Sequence, residues 1–488
     1  MRFKDAGFLA ECLNLFETLK MFELADYMDS SHVAPTTCPL SSHRKSSKEN
    51  TMKRRHLFAG VAGLAAGTLL LAACGTGPTP AAAPTPTEDP SGSITFWSAL
   101  AGMDKVAEAF NASQDKIKVS FETIPNGANG GYAKLSTAIT AGNGPDVATI
   151  EYPQLPQFVS NSQVIPLDGL INKSETVDKL TDETKALVQF GEKTYALPYD
   201  AAPMLMWYRK DMLDKAGVGV PKTWDEFEQA GKKLKAVAPD SYLASFNPNE
   251  VAASAGLAWQ AGAKWFGTEG DSWKVGVNDE ATQKVATYWQ KLIDQKIVKV
   301  TQAYSDEWSL DLANSTVVGV VGANWSATGI QKRTEASGQK GQWIAAELPN
   351  WGNESGAFYG GSSFNVTKSS KNPAAAAKFV EFLTTNQQAI KARGNTGSAF
   401  LAFPGLTPVA QQAYDASYFG NDIYEVFNKA YGTITPGWQW GPNWDITNTA
   451  LKDAYGKLTT GGTIHDAVDT AQDATVASLK QAGLSVKE

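Results

Sequence analysis

Cysteine and histidine are scarce in this sequence, and their scarcity limits its chemistry. The three cysteines are Cys12, Cys38 and Cys74, so no disulfide can form beyond residue 74. Of the four histidines, His465 alone lies beyond residue 90. A Ser-His-Asp or Cys-His arrangement in that region would have to use His465, and no cysteine nucleophile remains there.

Motifs of common enzyme classes are also missing. The sequence contains no Gly-x-Ser-x-Gly, no His-Glu-x-x-His, no Gly-x-x-x-x-Gly-Lys-Ser/Thr and no Cys-x-x-Cys. We therefore expect neither a metal nor a cofactor. Catalysis by a pair of carboxylates stays open, because Asp and Glu are abundant. The net charge of −7 argues against nucleic acid and against an anionic membrane surface as partners.

An apolar segment near the N-terminus has the order of parts found in secretory signals. Residues 57–73 are mostly apolar, follow the basic cluster Lys53-Arg54-Arg55 and end directly before Cys74. This order predicts a signal peptide over residues 52–73. It also resembles a bacterial lipobox, which implies lipidation of Cys74 and anchoring at the extracellular face of the cytoplasmic membrane. The run is too short and too rich in Gly and Ala to predict a spanning helix.

The residues on either side of this segment are not expected to belong to the folded body. A signal peptide normally begins at the N-terminus, so we predict that translation starts at Met52 and that residues 1–51 are an upstream extension. The alternative is a cytoplasmic extension followed by an internal signal-anchor. Residues 74–92 are rich in Pro, Thr and Ala and predict a semi-extended tether.

The body that begins near Ser93 is longer than one hydrophobic core usually supports, which predicts two lobes. Its first part alternates between two patterns. Strand patterns occupy 93–97, 116–124 and 146–150, and helical patterns occupy 103–110 and 132–140. This βαβαβ order predicts a largely parallel sheet, which would bind ligands at the carboxyl ends of its strands.

Three side chains at predicted strand ends are the first candidates for a binding cleft. Trp97 ends the first strand, and Glu151 and Tyr152 follow the third. A buried core position is the alternative for Trp97. A carboxylate such as Glu151 is seldom fully buried without a partner, so we expect it to face a cleft.

Several segments resemble the extracellular solute-binding proteins of the maltose-binding type. The most specific is Leu-Met-Trp-Tyr-Arg-Lys-Asp-Met-Leu at 205–213, followed by Pro-Lys-Thr-Trp-Asp-Glu-Phe at 221–227. Similar segments lie at 141–147, 164–168, 195–198 and 370–383, so the resemblance covers nearly the whole body. Thr223 and Glu226 have capping-box spacing, which gives this signature an architectural role.

The resemblance implies an α/β fold with two lobes, a ligand cleft between them and crossover hinge strands that join them. The first lobe would comprise 93–200 and 361–404, and the second 201–360 and 405–488. We expect the crossovers near 199–206, 359–364 and 401–408, where Pro and Gly residues supply turns.

The resemblance also implies a function. A protein of this family would bind a carbohydrate, here a di- or oligosaccharide, and deliver it to the permease of an ABC importer, acting as a monomer. Sugar sites combine aromatic rings with carboxylates and amides. The residues that match ligand-contacting positions in sugar-binding relatives are Trp97, Asp146, Glu151, Tyr152, Asp200, Trp325, Gly361 and Ser362.

The densest aromatic segment, 436–444, is flanked by Gly and Pro, which predicts a loop. The family places a stacking Trp in this region, and either Trp438 or Trp440 could match it. The alternative is a loop packed under its own tryptophans. Trp259 and Trp265 lie in apolar surroundings and are predicted to belong to the core.

Two other functions stay open at this point. An exported glycosidase or lyase could use two of the carboxylates Asp146, Glu151 and Asp200. A receptor of the same fold could bind a polyol or a glycerol-phosphate ester instead of a sugar. The candidate residues are acidic and aromatic, which disfavours a phosphate ligand.

Overall fold

The computed structural model describes residues 89–127, 130–397 and 399–487. Its strands are β1 Gly92–Ser98, β2 Ile117–Thr123, β3 Val147–Glu151, β4 Gln189–Phe190, β5 Lys193–Thr194, β6 Leu197–Pro198, β7 Leu205–Arg209, β8 Ala244–Phe246, β9 Phe266–Glu269, β10 Ser272–Val275, β11 Val298–Val300, β12 Gly319–Gly322, β13 Trp343–Glu347, β14 Ser362–Val366 and β15 Val486–Lys487. The upstream extension, the signal peptide, Cys74 and most of the proposed tether lie outside the described residues.

Helices cover the faces of these sheets. They are α1 Met103–Ser113, α2 Gly131–Thr140, α3 Leu155–Ser160, α4 Asp182–Ala186, α5 Lys210–Lys215, α6 Trp224–Val237, α7 Val251–Gln260, α8 Glu280–Asp294, α9 Asp306–Ala313, α10 Ser326–Thr334, α11 Pro373–Thr385, α12 Gln387–Arg393, α13 Thr407–Ala413, α14 Ile423–Tyr431, α15 Trp444–Tyr455 and α16 Ile464–Gln481. Each helix in the described ranges is too short or too polar to cross a membrane.

The first lobe is built on a five-stranded sheet in the order β2-β1-β3-β14-β6. The predicted βαβαβ order is confirmed, because β1 pairs in parallel with both β2 and β3. The prediction of a largely parallel sheet needs a correction. β14 runs antiparallel to β3 and to β6, so the sheet is mixed. The antiparallel strand arrives from a distant part of the chain, where no local pattern shows its direction.

Aromatic rings fill the core on one face of this sheet. Phe96 of β1 lies 5.8 Å from Phe364 of β14 and 5.2 Å from Phe379 of α11, both edge-on. Phe110 of α1 contacts Phe379 at 4.9 Å. Edge-to-face contacts of this kind fix the rings relative to one another as well as excluding water. The carboxyl ends of β1 and β3 are therefore held on a rigid base.

The second lobe contains an antiparallel sheet in the order β12-β7-β13. The family signature lies on β7, α5 and the start of α6. Thr223 accepts a hydrogen bond from the Glu226 amide at 3.2 Å, and the Glu226 carboxylate accepts one from the Lys222 amide at 2.7 Å. A reciprocal cap is therefore present, shifted by one residue from the capping-box pattern. Its role is architectural, as predicted.

Three crossover segments join the two lobes and hydrogen-bond to one another. Ala201 N donates to Phe400 O at 2.9 Å, and Ala402 N donates to Tyr199 O at 3.0 Å. Tyr359 N donates to Ala202 O at 2.8 Å. These contacts confirm the crossover strands implied by the resemblance. The division of the chain at 200, 360 and 404 stays a prediction.

Candidate functional site

The carboxyl end of β3 presents Glu151 beside a tyrosine from the preceding helix. Glu151 N donates a hydrogen bond of 3.0 Å to the phenol oxygen of Tyr132, on α2. Burial raises the pKa of the Glu151 carboxyl, while the neighbouring Tyr132 phenol opposes that rise. Glu151 therefore stands at the strand end, as predicted, in a site that disfavours its charge.

A pocket opens in the second lobe, formed by residues that follow β8 and β11 and by the start of α10. It holds about 460 Å³ of space between atoms, part of it open to solvent. Glu250 is the one charged side chain in its described lining. The side chains that give the pocket its character are Asn247, Glu250, Tyr304, Trp308, Trp325 and Tyr359.

Two asparagines hold the loops of the pocket together. Asn247 Nδ2 donates to Thr301 O at 2.8 Å. Asn249 accepts from Ala303 N at 2.9 Å and donates to Ala303 O at 3.1 Å, which imitates a strand pair. The loop that carries Glu250 and the loop that carries the neighbouring tyrosine are therefore fixed to each other.

Glu250 is a half-buried carboxylate with a perturbed pKa. Burial raises the pKa of Glu250 to about 7, and the charge of Glu151 contributes to the rise. A hydrogen bond from the Tyr359 phenol and the more distant charge of Lys452 oppose it. Glu151 and Glu250 come from different lobes, yet their charges interact. We therefore expect both carboxylates to face the cleft between the lobes.

Trp325 lies at the start of α10, in the pocket, where the resemblance placed it. Its indole Nε1 donates to Tyr359 O at 3.2 Å, and its ring meets the Tyr359 ring edge-on at 4.9 Å. The indole is only partly buried. Its orientation is therefore fixed while part of its surface stays free for a ligand.

Tyr304 has the most unusual backbone in the pocket. Its φ of 65° lies in the left-handed region, which is costly for a large side chain without glycine's freedom. The ring is 48% exposed, meets Trp308 edge-on at 5.5 Å, and has the Arg333 guanidinium 5.4 Å from its centre. Backbone strain that presents an exposed ring at a pocket favours a ligand contact.

Replacing Tyr304 with Asn should weaken ligand binding by about tenfold, the size of one lost ring contact, without loss of stability. Asn tolerates the left-handed backbone, so we expect the free energy of unfolding to change by less than about 1 kcal/mol. Tyr304→Phe keeps the ring and should bind within about threefold of the natural protein. Titration calorimetry and denaturant unfolding measure both quantities. Unchanged affinity of Tyr304→Asn would remove this ring from the site.

Four residues that were predicted to contact the ligand lie buried at the crossover segments and have a structural role there. Asp200 accepts the Ser362 amide at 2.7 Å, so neither that carboxylate oxygen nor that amide is free for a ligand. Tyr152 is 1% exposed and donates to Asp200 O at 2.5 Å. Gly361 has a φ of 97°, and a Cβ there would lie 2.5 Å from the Tyr152 ring. These four residues lock the crossover.

Two further candidates from the first lobe also differ from expectation. Asp146 precedes β3, at the opposite end of the strand from Glu151, and accepts hydrogen bonds from Thr95 and Ser370. The structure therefore does not bring it to the cleft. Trp97 is half-buried on β1 beside the Lys134 ammonium, which lies 4.8 Å from the centre of its ring. Trp97 is not among the described residues that line the pocket of the second lobe.

The aromatic loop at 436–444 packs into the second lobe. Trp438 is 3% exposed and stacks on Trp259 at 5.2 Å with an interplanar angle of 5°, and Trp440 is 6% exposed. The expected ligand contact of Trp438 or Trp440 is therefore replaced by the alternative, a loop packed under tryptophans. The core positions predicted for Trp259 and Trp265 are confirmed.

Sequence reasoning missed Glu250, Tyr304, Tyr359 and Tyr132. Glu250 ends an Asn-Pro-Asn-Glu segment that reads as an ordinary polar turn, and a single Tyr in a loop carries no motif. The described residues contain no cluster of three metal-binding side chains. The pocket is lined by aromatic rings, the Glu250 carboxylate and the Asn247 amide, which can bind hydroxyl and C–H surfaces.

Comparison with known proteins gives consistent matches. The family model described as bacterial extracellular solute-binding protein matches residues 97–390. A maltooligosaccharide ABC transporter solute-binding lipoprotein of Streptococcus pneumoniae is 27% identical over 298 residues, covering 59% of this chain and 66% of that protein.

Two solved structures share the fold over most of the chain. The galacto-N-biose/lacto-N-biose I-binding protein of Bifidobacterium longum, in complex with lacto-N-biose, is 25% identical with a TM-score of 0.73, and the match covers 82% of this chain and 100% of that one. An ABC transporter associated binding protein from B. animalis subsp. lactis, in complex with β-1,6-galactobiose, is 28% identical with a TM-score of 0.70 and the same coverage.

Proposed function

This chain belongs to the bacterial extracellular solute-binding protein family, and from that premise we propose that it captures a di- or oligosaccharide for an ABC importer. The observation that carries the proposal is the cleft. Trp325 and Tyr304 offer ring surfaces from one lobe, and Glu250 and Glu151 offer carboxylates from both. Relatives that bind maltooligosaccharide, lacto-N-biose and β-1,6-galactobiose support a carbohydrate over a polyol or glycerol-phosphate ester.

We also propose that the protein performs no catalysis. The rival enzyme would need two of Asp146, Glu151 and Asp200 to act together on one bond. The hydrogen bonds of Asp146 and Asp200, and the distance of Asp146 from the cleft along β3, argue against that use. Purified protein incubated with the oligosaccharides that it binds should return them intact by chromatography.

A saccharide panel followed by scattering tests the receptor function. We expect at least one di- or trisaccharide to raise the melting temperature, because a ligand that binds only the folded state stabilises it. Small-angle scattering should then show a smaller radius of gyration, since a ligand that contacts both lobes selects the closed form. Binding without compaction would contradict interlobe capture, and failure of every sugar would contradict the proposed ligand class.

Membrane anchoring through Cys74 is the remaining part of the proposal. In the native host the protein should partition into membranes with its mature N-terminus at Cys74, and Cys74→Ala should shift it to the soluble fraction with unchanged sugar affinity. Cys74 is not among the candidate ligand-binding residues, so sugar affinity serves as the control. Detection of peptides from residues 1–51 in the mature protein would overturn this assignment.

A further inference from the structure

The two cleft carboxylates differ from the other shielded carboxylates of the described chain. Glu228 pairs with Lys232 and Lys291, each at 2.7 Å, and Asp311 pairs with Lys299 at 2.7 Å. Asp200 has the Ser362 amide. Glu151 and Glu250 form no ion pair in the described ranges, and each has a tyrosine phenol as its close polar neighbour. The fold thus pairs its shielded carboxylates elsewhere and leaves these two for a ligand.

The nearby cations are already engaged with other groups. Arg333 donates to Ser309 Oγ at 3.1 Å and to Gly329 O at 2.9 Å, and its guanidinium lies 5.1 Å from the centre of the Trp308 ring. On the first lobe, the Lys134 ammonium bonds Glu122 at 2.6 Å. No Lys or Arg side chain lines the described pocket. Lys452 acts on Glu250 only through its more distant charge, so neither Glu151 nor Glu250 has an ion-pair partner among the described residues.

The aromatic rings of the pocket favour a cation as well. The faces of Trp and Tyr rings carry negative potential, and an ammonium group within about 6 Å of a ring centre is attracted to it. Trp325 and Tyr304 both leave ring surface accessible in the pocket. A neutral sugar could pack on these rings and donate hydrogen bonds to the carboxylates, whereas a protonated amine could donate hydrogen bonds and also pair with their negative charge.

We propose that the cleft selects saccharides that carry a protonated amine, held between the carboxylates of Glu151 and Glu250 and beside the rings of Trp325 and Tyr304. This inference deepens the proposed carbohydrate-receptor function and rests on it. The inference requires that an amine-bearing saccharide binds more tightly than a neutral one, whereas the receptor function requires only that some saccharide binds. The two can therefore fail separately.

The test uses sugars that differ only in the group carried by carbon 2 of each ring. Glucose, N-acetylglucosamine and glucosamine form one series, the corresponding galactose compounds form a second, and cellobiose, diacetylchitobiose and chitobiose form a third. Titration calorimetry at pH 6.5 should show the amine binding at least about tenfold more tightly than its hydroxyl and acetamide counterparts in one series, the size of one charge-assisted contact. Neutral di- and trisaccharides of the wider panel are titrated alongside.

Charge-neutral variants locate the effect. Glu151→Gln and Glu250→Gln should each weaken binding of the amine about tenfold more than they weaken binding of its hydroxyl counterpart. Glu192→Gln removes an exposed carboxylate from the β4–β5 turn and should leave the preference unchanged. Denaturant unfolding of each variant shows whether it is folded before binding is measured.

Each outcome decides between the two ideas. A preference for the amine that both cleft variants reduce supports the inference. Equal or tighter binding of a neutral sugar overturns it and leaves the receptor function intact, and so does an amine preference that survives both variants. If no amine binds, the inference fails. If no neutral saccharide binds either, the receptor function fails with it.

Discussion

Replacing Glu250 with Gln should stabilise the protein above neutral pH, by about 1 to 3 kcal/mol at pH 8. The pKa of Glu250 rises from 4.5 to about 7 on folding, and each pKa unit corresponds to about 1.4 kcal/mol. Because the folded pKa is the higher one, folding favours the protonated carboxyl. The protonated Glu250 carboxyl therefore makes its full contribution to the free energy of unfolding below pH 4.5, and this contribution is lost as the pH rises through 7.

Gln cannot ionise, so the variant escapes this loss and keeps the bond from Tyr359 as a neutral one. Denaturant unfolding at pH 5, 6, 7 and 8 should give two curves that lie closest at pH 5, separate up to about pH 7 and run parallel above it. Glu192→Gln, at an exposed turn, should follow the natural protein throughout. If the curves of Glu250→Gln and the natural protein stay parallel from pH 5 to pH 8, the Glu250 carboxyl is well solvated and folding does not raise its pKa.

The first lobe shows which parts of the fold the sequence encodes locally. The pattern over residues 93–97 became β1 at 92–98, and the one over 132–140 became α2 at 131–140. The spacing of apolar residues along the chain is enough to predict such strands and helices. The position of β14 between β3 and β6 follows from pairing across more than 160 residues, and no local period shows a distant partner or its direction.

The site was predictable where a motif marks geometry. The family resemblance led to Trp325, which directly precedes α10 at the start of that helix. Tyr304 carries no such mark, and the loop that presents it is held through Ala303 by Asn249, 54 residues before Ala303 in the chain. The loop that carries Trp438 was predicted to be exposed because its local sequence does not show its packing partner. Its partner Trp259 lies far away in sequence, and burial is a property of the pair.

A pair of tryptophan replacements should separate recognition from stability more sharply than any other change. Trp325→Ala removes a partly exposed ring from the pocket, and we expect the affinity for the best-binding saccharide to fall by about 10- to 100-fold, or about 1 to 3 kcal/mol. The free energy of unfolding without ligand should change by less than about 1 kcal/mol. The indole has one hydrogen bond and one edge contact, both with Tyr359.

Trp438→Ala is the matched control, because it deletes the same side chain from a packed position. Trp438 stacks on Trp259 and lies 5.7 Å from Trp265, so the replacement leaves a cavity and should lower the free energy of unfolding by about 3 to 5 kcal/mol. The fraction that stays folded should bind sugar with unchanged affinity. Denaturant unfolding and titration calorimetry on both variants give the full comparison. If Trp325→Ala unfolds the protein while Trp438→Ala abolishes binding, the cleft lies at the aromatic loop, and the pocket around Glu250 is part of the core.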